Sequence, residues 1–154
     1  MKKLLIIGAS GHGRVIADIA TRIKKWQEIV FLDDDVNIKS SLGLPVVGMS
    51  NQALNFIEEY EVFIAIGNNE IREMLQRKMK ATGATIPILI HPSAVIGAQV
   101  ELGMGTAIMA GAVINCGCRI GEGCIINTGA TVDHDCTIED YVHISPGTHI
   151  AGTV

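Results

Sequence analysis

From Ile90 onward an aliphatic residue returns at every sixth position without interruption: Ile90, Ile96, Leu102, Ile108, Ile114, Ile120, Ile126, Val132, Ile138, Ile144 and Ile150. Four positions after each stands a small or β-branched residue, among them Thr106, Ala112, Cys118, Cys124, Ala130 and Cys136. Glycine directly follows the aliphatic residue at Gly97, Gly103 and Gly121, or sits three after it at Gly105, Gly111, Gly117, Gly123, Gly129 and Gly147. A period of six suits neither an α-helix nor a plain hairpin. It suits a short strand plus a corner, repeated. Three such units close one coil of about 18 residues, with neighbouring coils paired as parallel strands about 4.8 Å apart. Stacked coils, rather than a globular core, then bury the apolar surface. The pattern predicts a left-handed parallel β-helix over residues 91–154.

Residues 1–90 have a different grammar, short apolar runs alternating with amphipathic segments, as β-α-β units around a parallel sheet require. Strands are predicted at Lys3–Ile7, Glu28–Leu32, Val62–Ile66 and Ile86–Ile90. Helices are predicted over Arg14–Lys25, with Val15, Ile16, Ile19 and Ile23 on one face, over Gln52–Glu59 and over Glu70–Ala81. The first half is therefore an α/β Rossmann-like domain preceding the β-helix.

Composition narrows the function classes. Of 154 residues 48% are hydrophobic and 18% charged, with a net charge of -4, which excludes a disordered chain and argues against a nucleic-acid binder. No apolar run reaches the roughly 18 residues of a membrane helix, and Leu4–Ile7 is too short for a signal-peptide core, so a cytoplasmic protein without a membrane partner is expected. Cys118, Cys124 and Cys136 fall on the small inward position of the repeat, where a thiol packs as a compact apolar group. They are read as core, neither disulfide nor metal ligands, and Cys116 is left unassigned.

One histidine carries candidate chemistry. Acyl transfer to an amine or hydroxyl needs a base near neutral pKa, and imidazole supplies it. His134 stands at a corner of its hexad and is followed by Asp135, a carboxylate where several other coils have glycine. Asp135 would accept one ring N–H and raise the basicity of the other nitrogen, with Asp133 as the alternative partner that sequence leaves open. One coil beyond His134 lies Gly152, whose backbone N–H would face the same groove as a donor to an oxyanion. In the first half, Gly8, Gly11 and Gly13 follow a strand and open a helix, where N–H groups receive phosphate; the spacing is not that of a dinucleotide site.

These features together resemble the sialic acid O-acetyltransferase NeuD family and its relatives, the UDP-4-amino-sugar N-acetyltransferases of bacterial glycan synthesis. The resemblance runs through GASGHGRVI at 8–16, FLDDD at 31–35, AIGNNEIR at 65–72 and TVDHDCTIEDYVHISPG at 131–147. It implies an acetyl-CoA-dependent sugar acetyltransferase acting as a homotrimer, with no metal, and with acetyl-CoA lying between neighbouring β-helices. It implies that His134 and its neighbouring acid match the family's His-acid pair, and that His143 contacts acetyl-CoA. His143 is half a coil from His134, so the two meet only across a subunit interface. The nucleotide-linked sugar, or a sialic acid, would be held by Ser10, Gly11 and His12, by Asp33 and Asp34 at the base or ribose, and by Gly67 and Asn68. Whether the acceptor is an amine or a hydroxyl stays open.

Two other classes compete. A zinc enzyme like the γ-class carbonic anhydrases would use His134, His143 and His149, but would leave the first domain without a purpose. A noncatalytic nucleotide-sugar binder would consume no acetyl-CoA. Finally, the chain stops at Val154 in mid-repeat without a polar cap, so a C-terminally truncated helix with an incomplete acetyl-CoA groove is expected.

Overall fold

The computed structural model describes residues 2–154, and the chain divides between Pro87 and Ile88 into two compact units. The first unit is built on β1 (Lys3–Ile7), α1 (Gly11–Ile23), β2 (Ile29–Leu32), the hairpin strands β3 (Ser40–Ser41) and β4 (Leu44–Pro45), β5 (Tyr60–Ile64) and α2 (Asn69–Ala81). β1 lies at the centre, with β2 and β5 paired to it in parallel on either side. Its Leu4, Leu5 and Ile6 are fully buried, as a run apolar on both faces demands.

Several boundaries differ from those the sequence predicts, each for a visible reason. α1 begins three residues early, at Gly11, and the first turn passes directly over the strand end: a Cβ on Gly13 would lie 1.8 Å from the Gly8 carbonyl oxygen. Of its expected apolar face only Ile16 and Ile19 are buried, joined by Gly13, Ala17 and Ala20, while Ile23 is half-buried and Val15 is left exposed. β5 starts two residues early because Glu61 is pulled into the interior, where its carboxylate accepts the Trp26 indole N–H at 2.8 Å and faces Lys25 at 3.6 Å. The predicted helix over 52–59 is a 3₁₀ segment, Ser50–Asn55, followed by turns; it buries only Ala53, too little apolar face to carry an α-helix. The last predicted strand shrinks to Leu89–Ile90, which pairs with Ala107–Ile108 in the second unit instead of extending the first sheet.

The second unit is the left-handed β-helix. Leu89–Ile90, Ala107–Ile108, Ile125–Ile126 and His143–Ile144 stack in one parallel sheet. Val95–Ile96, Val113–Ile114, Thr131–Val132 and His149–Ile150 form a second, and Glu101–Leu102, Arg119–Ile120 and Thr137–Ile138 a third. Each residue therefore stacks on the one 18 positions away. The inward column is continuous, with Ile108, Ile114, Ile126 and Val132 fully buried. The corners are set by a left-handed residue every six positions, from Gln99 to Thr153, with φ between 57 and 76°. Six of these ten are glycine, the residue that takes this conformation without steric penalty. Gln99, Tyr141 and Thr153 share the position with Asp135, so replacement of glycine there does not by itself mark a site.

The inward cysteines do more than fill space. Cys118 Sγ donates to Asp133 O at 2.9 Å, Cys124 Sγ to Glu139 O at 3.0 Å and Cys136 Sγ to Ala151 O at 3.1 Å, and Thr106 Oγ1 makes the same bond to Gly121 O at 2.8 Å. The expected core placement holds, and to it is added that this column satisfies carbonyls that the strand ladders leave open. All four cysteines are free thiols, and no helix among the described residues is long and apolar enough to cross a membrane.

Candidate active site

The corner after Thr131–Val132 holds residues 133–136. Asp135 is left-handed, with φ 57°, and this conformation turns its carboxylate back onto the preceding side chain. Asp135 Oδ2 lies 2.9 Å from His134 Nδ1. Asp133 points elsewhere, its Oδ1 accepting the His134 backbone N–H and the Asn115 carboxamide, each at 3.1 Å. Of the two acids that sequence left open, Asp135 is the partner of the ring. The hydrogen bond to Asp135 holds the imidazole pKa above its ordinary value against the opposing effect of desolvation, with smaller help from the charges of Asp135 and Asp133. With Nδ1 engaged, Nε2 is the nitrogen presented for proton transfer.

The neighbouring coils shape this corner. Asp135 N–H donates to Cys116 O at 3.1 Å, and the carboxylate lies over Gly117, where a Cβ would come within 2.3 Å of Oδ1. On the other side the imidazole lies over Gly152, where a Cβ would sit 2.6 Å from Nε2. Thr153 N–H donates to His134 O at 2.9 Å and ties the two coils together. Asn115 and Gly117 were not singled out from sequence. Counting back 18 positions from Asp133 and Asp135 would have found both.

His143 and His149 stand in different sheets from one another, and His134 lies at a corner apart from both. His143 Nε2 meets Asn127 Nδ2 at 3.0 Å, and Asn127 Oδ1 takes the Thr128 N–H at 2.7 Å, so the amide presents its N–H to the ring and Nε2 accepts. His149 Nδ1 meets Thr131 Oγ1 at 2.8 Å. No group of three or more His, Cys, Asp or Glu side chains among the described residues is placed to hold a metal ion.

In the first unit the C-terminal ends of β1, β2 and β5 surround a cavity of about 150 Å³ lined by Gly8, Leu32, Asp33, Asp34, Ser50 and Ile66. It lies where a parallel sheet changes the direction of its connections, the usual place for ligands in open α/β sheets. Asp33 Oδ2 accepts the Ala9 N–H at 2.8 Å, which locks the glycine-rich loop to β2, and Asp34 accepts both the N–H and the hydroxyl of Ser50 at 2.8 Å. Asn68 caps α2 through Ile71 N–H at 2.9 Å. Asp33 and Asp34 thus also build the wall of the cavity, whereas Asn68 lies outside its lining and fixes the start of α2. Ser10, by contrast, is the N-cap of α1 but makes no side-chain cap bond, and its hydroxyl is exposed. His12 is half-buried in the first turn of the same helix. Gly8 is required by φ +110° and by the Ala65 carbonyl, 2.5 Å from where its Cβ would be. Gly11 and Gly67 are required by neither: a Cβ on either would meet nothing within 4 Å. Arg72, buried and overlooked in sequence, donates to Ile66 O at 3.0 Å and Gly67 O at 3.2 Å and so fixes the loop after β5.

Residues 3–79 match the PglD N-terminal domain and residues 117–152 the bacterial transferase hexapeptide repeats. The chain is 37% identical over 115 residues to the UDP-N-acetylbacillosamine N-acetyltransferase of Bacillus subtilis, a match covering 71% of this chain and 52% of that one. It thus spans about half the length of that curated relative. Among solved structures, the acetyltransferase domain of PglB from Neisseria gonorrhoeae superposes with TM-score 0.94 at 42% identity, covering 99% of this chain and 75% of that one. A histidine-to-asparagine variant of the perosamine N-acetyltransferase from Caulobacter crescentus, in complex with CoA and GDP-perosamine, superposes with TM-score 0.93 at 36% identity, covering 99% and 73%.

Proposed function

The chain belongs to the family that joins a PglD N-terminal domain to transferase hexapeptide repeats, and on that premise we propose that it transfers acetyl from acetyl-CoA to the amino group of a nucleotide-linked sugar. The observation that carries the reading is the imidazole of His134, held at Nδ1 by Asp135 and lodged over Gly152. His134 Nε2 takes the proton from the attacking amine as its lone pair forms the C–N bond to the thioester carbonyl. The C–S bond then breaks, and the imidazolium returns the proton to the departing CoA thiolate. Asp135 steadies the imidazolium through this cycle, and the Gly152 N–H receives the transient oxyanion.

In this reading the first unit holds the nucleotide sugar. Ser10, Gly11 and His12 lie at the phosphates, Asp33 and Asp34 at the ribose or base, and Gly67 and Asn68 at the opposite lip. His143 binds acetyl-CoA from a neighbouring subunit of a homotrimer, and no metal takes part. An amine is favoured over a hydroxyl because the relatives named above are N-acetyltransferases, one of them holding GDP-perosamine. A cytoplasmic location follows from the co-substrates, since acetyl-CoA and nucleotide sugars are made there.

The test is release of CoA thiol with a panel of UDP-, GDP- and CMP-linked amino sugars, with free sialic acid included, and mass analysis of the product. Turnover with an amino sugar, abolished by His134→Ala, is expected. Acetylation of sialic acid alone would replace the acceptor, and turnover retained by His134→Ala would refute the base. Light scattering at micromolar concentration checks the trimer.

A further inference from the structure

The corner that carries His134 and Asp135 is bracketed by one sulfur atom. Cys118 Sγ donates to Asp133 O at 2.9 Å and accepts the Cys136 N–H at 3.4 Å. The two peptide groups it grips are those on either side of the His134–Asp135 dipeptide. The same pair of hydrogen bonds is made elsewhere in the column, where Thr106 Oγ1 donates to Gly121 O at 2.8 Å and accepts Cys124 N–H at 3.1 Å. The interaction therefore depends on a donor-acceptor group of this size at this position, and a hydroxyl serves as well as a thiol.

Asp135 gives the bracket its importance. A residue other than glycine in the left-handed region sits roughly 1–2 kcal/mol above its relaxed conformation, and it stays there only when its surroundings leave no alternative. Asp135 must stay there, because the turn at φ 57° is what returns its carboxylate to His134 Nδ1. Cys118 is fully buried, so both of its bonds form out of reach of competing water. Burial also pushes the thiol pKa up, which keeps the S–H proton available for donation.

We infer that Cys118 is a positioning residue for acetyl transfer, its sulfur clamping both ends of the His134–Asp135 corner so that the imidazole is held in its base geometry. The inference rests on the proposed function for its kinetic readout, and on geometry for its spectroscopic one.

The test compares Cys118→Thr, which keeps a donor and an acceptor as Thr106 does, with Cys118→Val, which keeps the shape and removes both bonds. Cys124→Val is the control, since Cys124 makes an equivalent bond to Glu139 O at the next corner of the coil, the one turned by Tyr141 and not by Asp135. Cys118→Val is expected to lose about 10- to 100-fold in kcat with little change in KM for acetyl-CoA, and to move the acid limb of the pH profile to lower pH. Cys118→Thr is expected to restore both, and Cys124→Val to leave both at wild-type values. If Cys118→Val does not fold, Cys118→Ala takes its place, and the His134 ring is titrated by NMR in wild type and variant. A wild-type kcat and acid limb in Cys118→Val, or an unshifted His134 titration in Cys118→Ala, overturns the inference. Turnover retained by His134→Ala instead overturns the assignment of the base, and the His134 titration still judges the clamp on its own.

Discussion

Gly152→Ala should separate activity from stability. A Cβ at this position would stand 2.6 Å from His134 Nε2, 2.9 Å from Cε1 and 3.0 Å from Cδ2. Ordinary contact begins near 3.4 Å, so the ring has to retreat by roughly 0.8 Å. It can do so easily, because the His134 side chain is 54% exposed and can swing into solvent. Gly152 is not among the left-handed residues, so alanine fits the backbone there, and the loss of a glycine from the unfolded chain stabilises by about 0.4–1 kcal/mol. The melting temperature should therefore hold or rise slightly. The swing, however, breaks the 2.9 Å bond to Asp135 and displaces Nε2. A misplacement near 1 Å lowers rate by about 100-fold, or about 2.7 kcal/mol in the barrier. Steady-state CoA release with the acceptor sugar, beside a thermal melt, reads both quantities. A folded Gly152→Ala protein with kcat within about threefold of wild type would refute the placement of the reacting nitrogen over Gly152.

Other substitutions probe the rest of the geometry. His134 must be neutral to accept a proton and its pKa is raised, so rate should fall as pH drops through a value above that of an ordinary histidine. Asp135→Asn should shift that acid limb to lower pH and reduce the plateau by about 100-fold or more, measured as kcat against pH. Gly117→Ala combines φ +76° with a Cβ 2.3 Å from Asp135 Oδ1, whereas Gly129→Ala has φ +68° and open space. Both should lose about 1–2 kcal/mol in urea unfolding, and only Gly117→Ala should lose turnover; equal kinetics would mean that the Asp135 carboxylate does not matter. Gly11→Ala, in the first turn of α1 with nothing within 4 Å, should raise the melting temperature while weakening nucleotide-sugar affinity in calorimetry. Unchanged affinity would remove Gly11 from the sugar-nucleotide site.

Much of this was legible because the repeat is rigid. Once Ile90 to Ile150 set the register, each corner had an address, and His134, Asp135 and Gly152 came together as a six-residue period and a coil of three such units require. The choice between Asp133 and Asp135 was not legible, since it depends on the left-handed turn at Asp135 and on Asn115 occupying Asp133 from the coil below. The cysteines lie in the core as the period requires, but their bonds were not legible for a related reason: periodicity reports that a position is inward, not that a corner carbonyl there lacks a partner. In the first unit the pattern of apolar runs found the strands and helices but misplaced their ends. Polarity misled at Glu61, which is buried against Trp26, and glycine misled at Gly11 and Gly13, which lie inside α1. Asp33, Asp34 and Asn68 each serve the fold through bonds that no spacing rule displays.

Stacking by 18 residues also limits how such a chain can change in length. Gly117, Asp135 and Thr153 occupy one corner on three successive coils, so a single-residue deletion between any two of them would shear the pocket while leaving every side chain intact. Loss or gain of one hexad would keep the strands in register but carry the imidazole to another corner. Inserting a whole coil between Cys118 and Asp133 would keep the corner and replace the surface beneath it. Insertions and deletions between Gly117 and Gly152 are therefore quantised, and descendants that keep this chemistry should differ in length outside that interval.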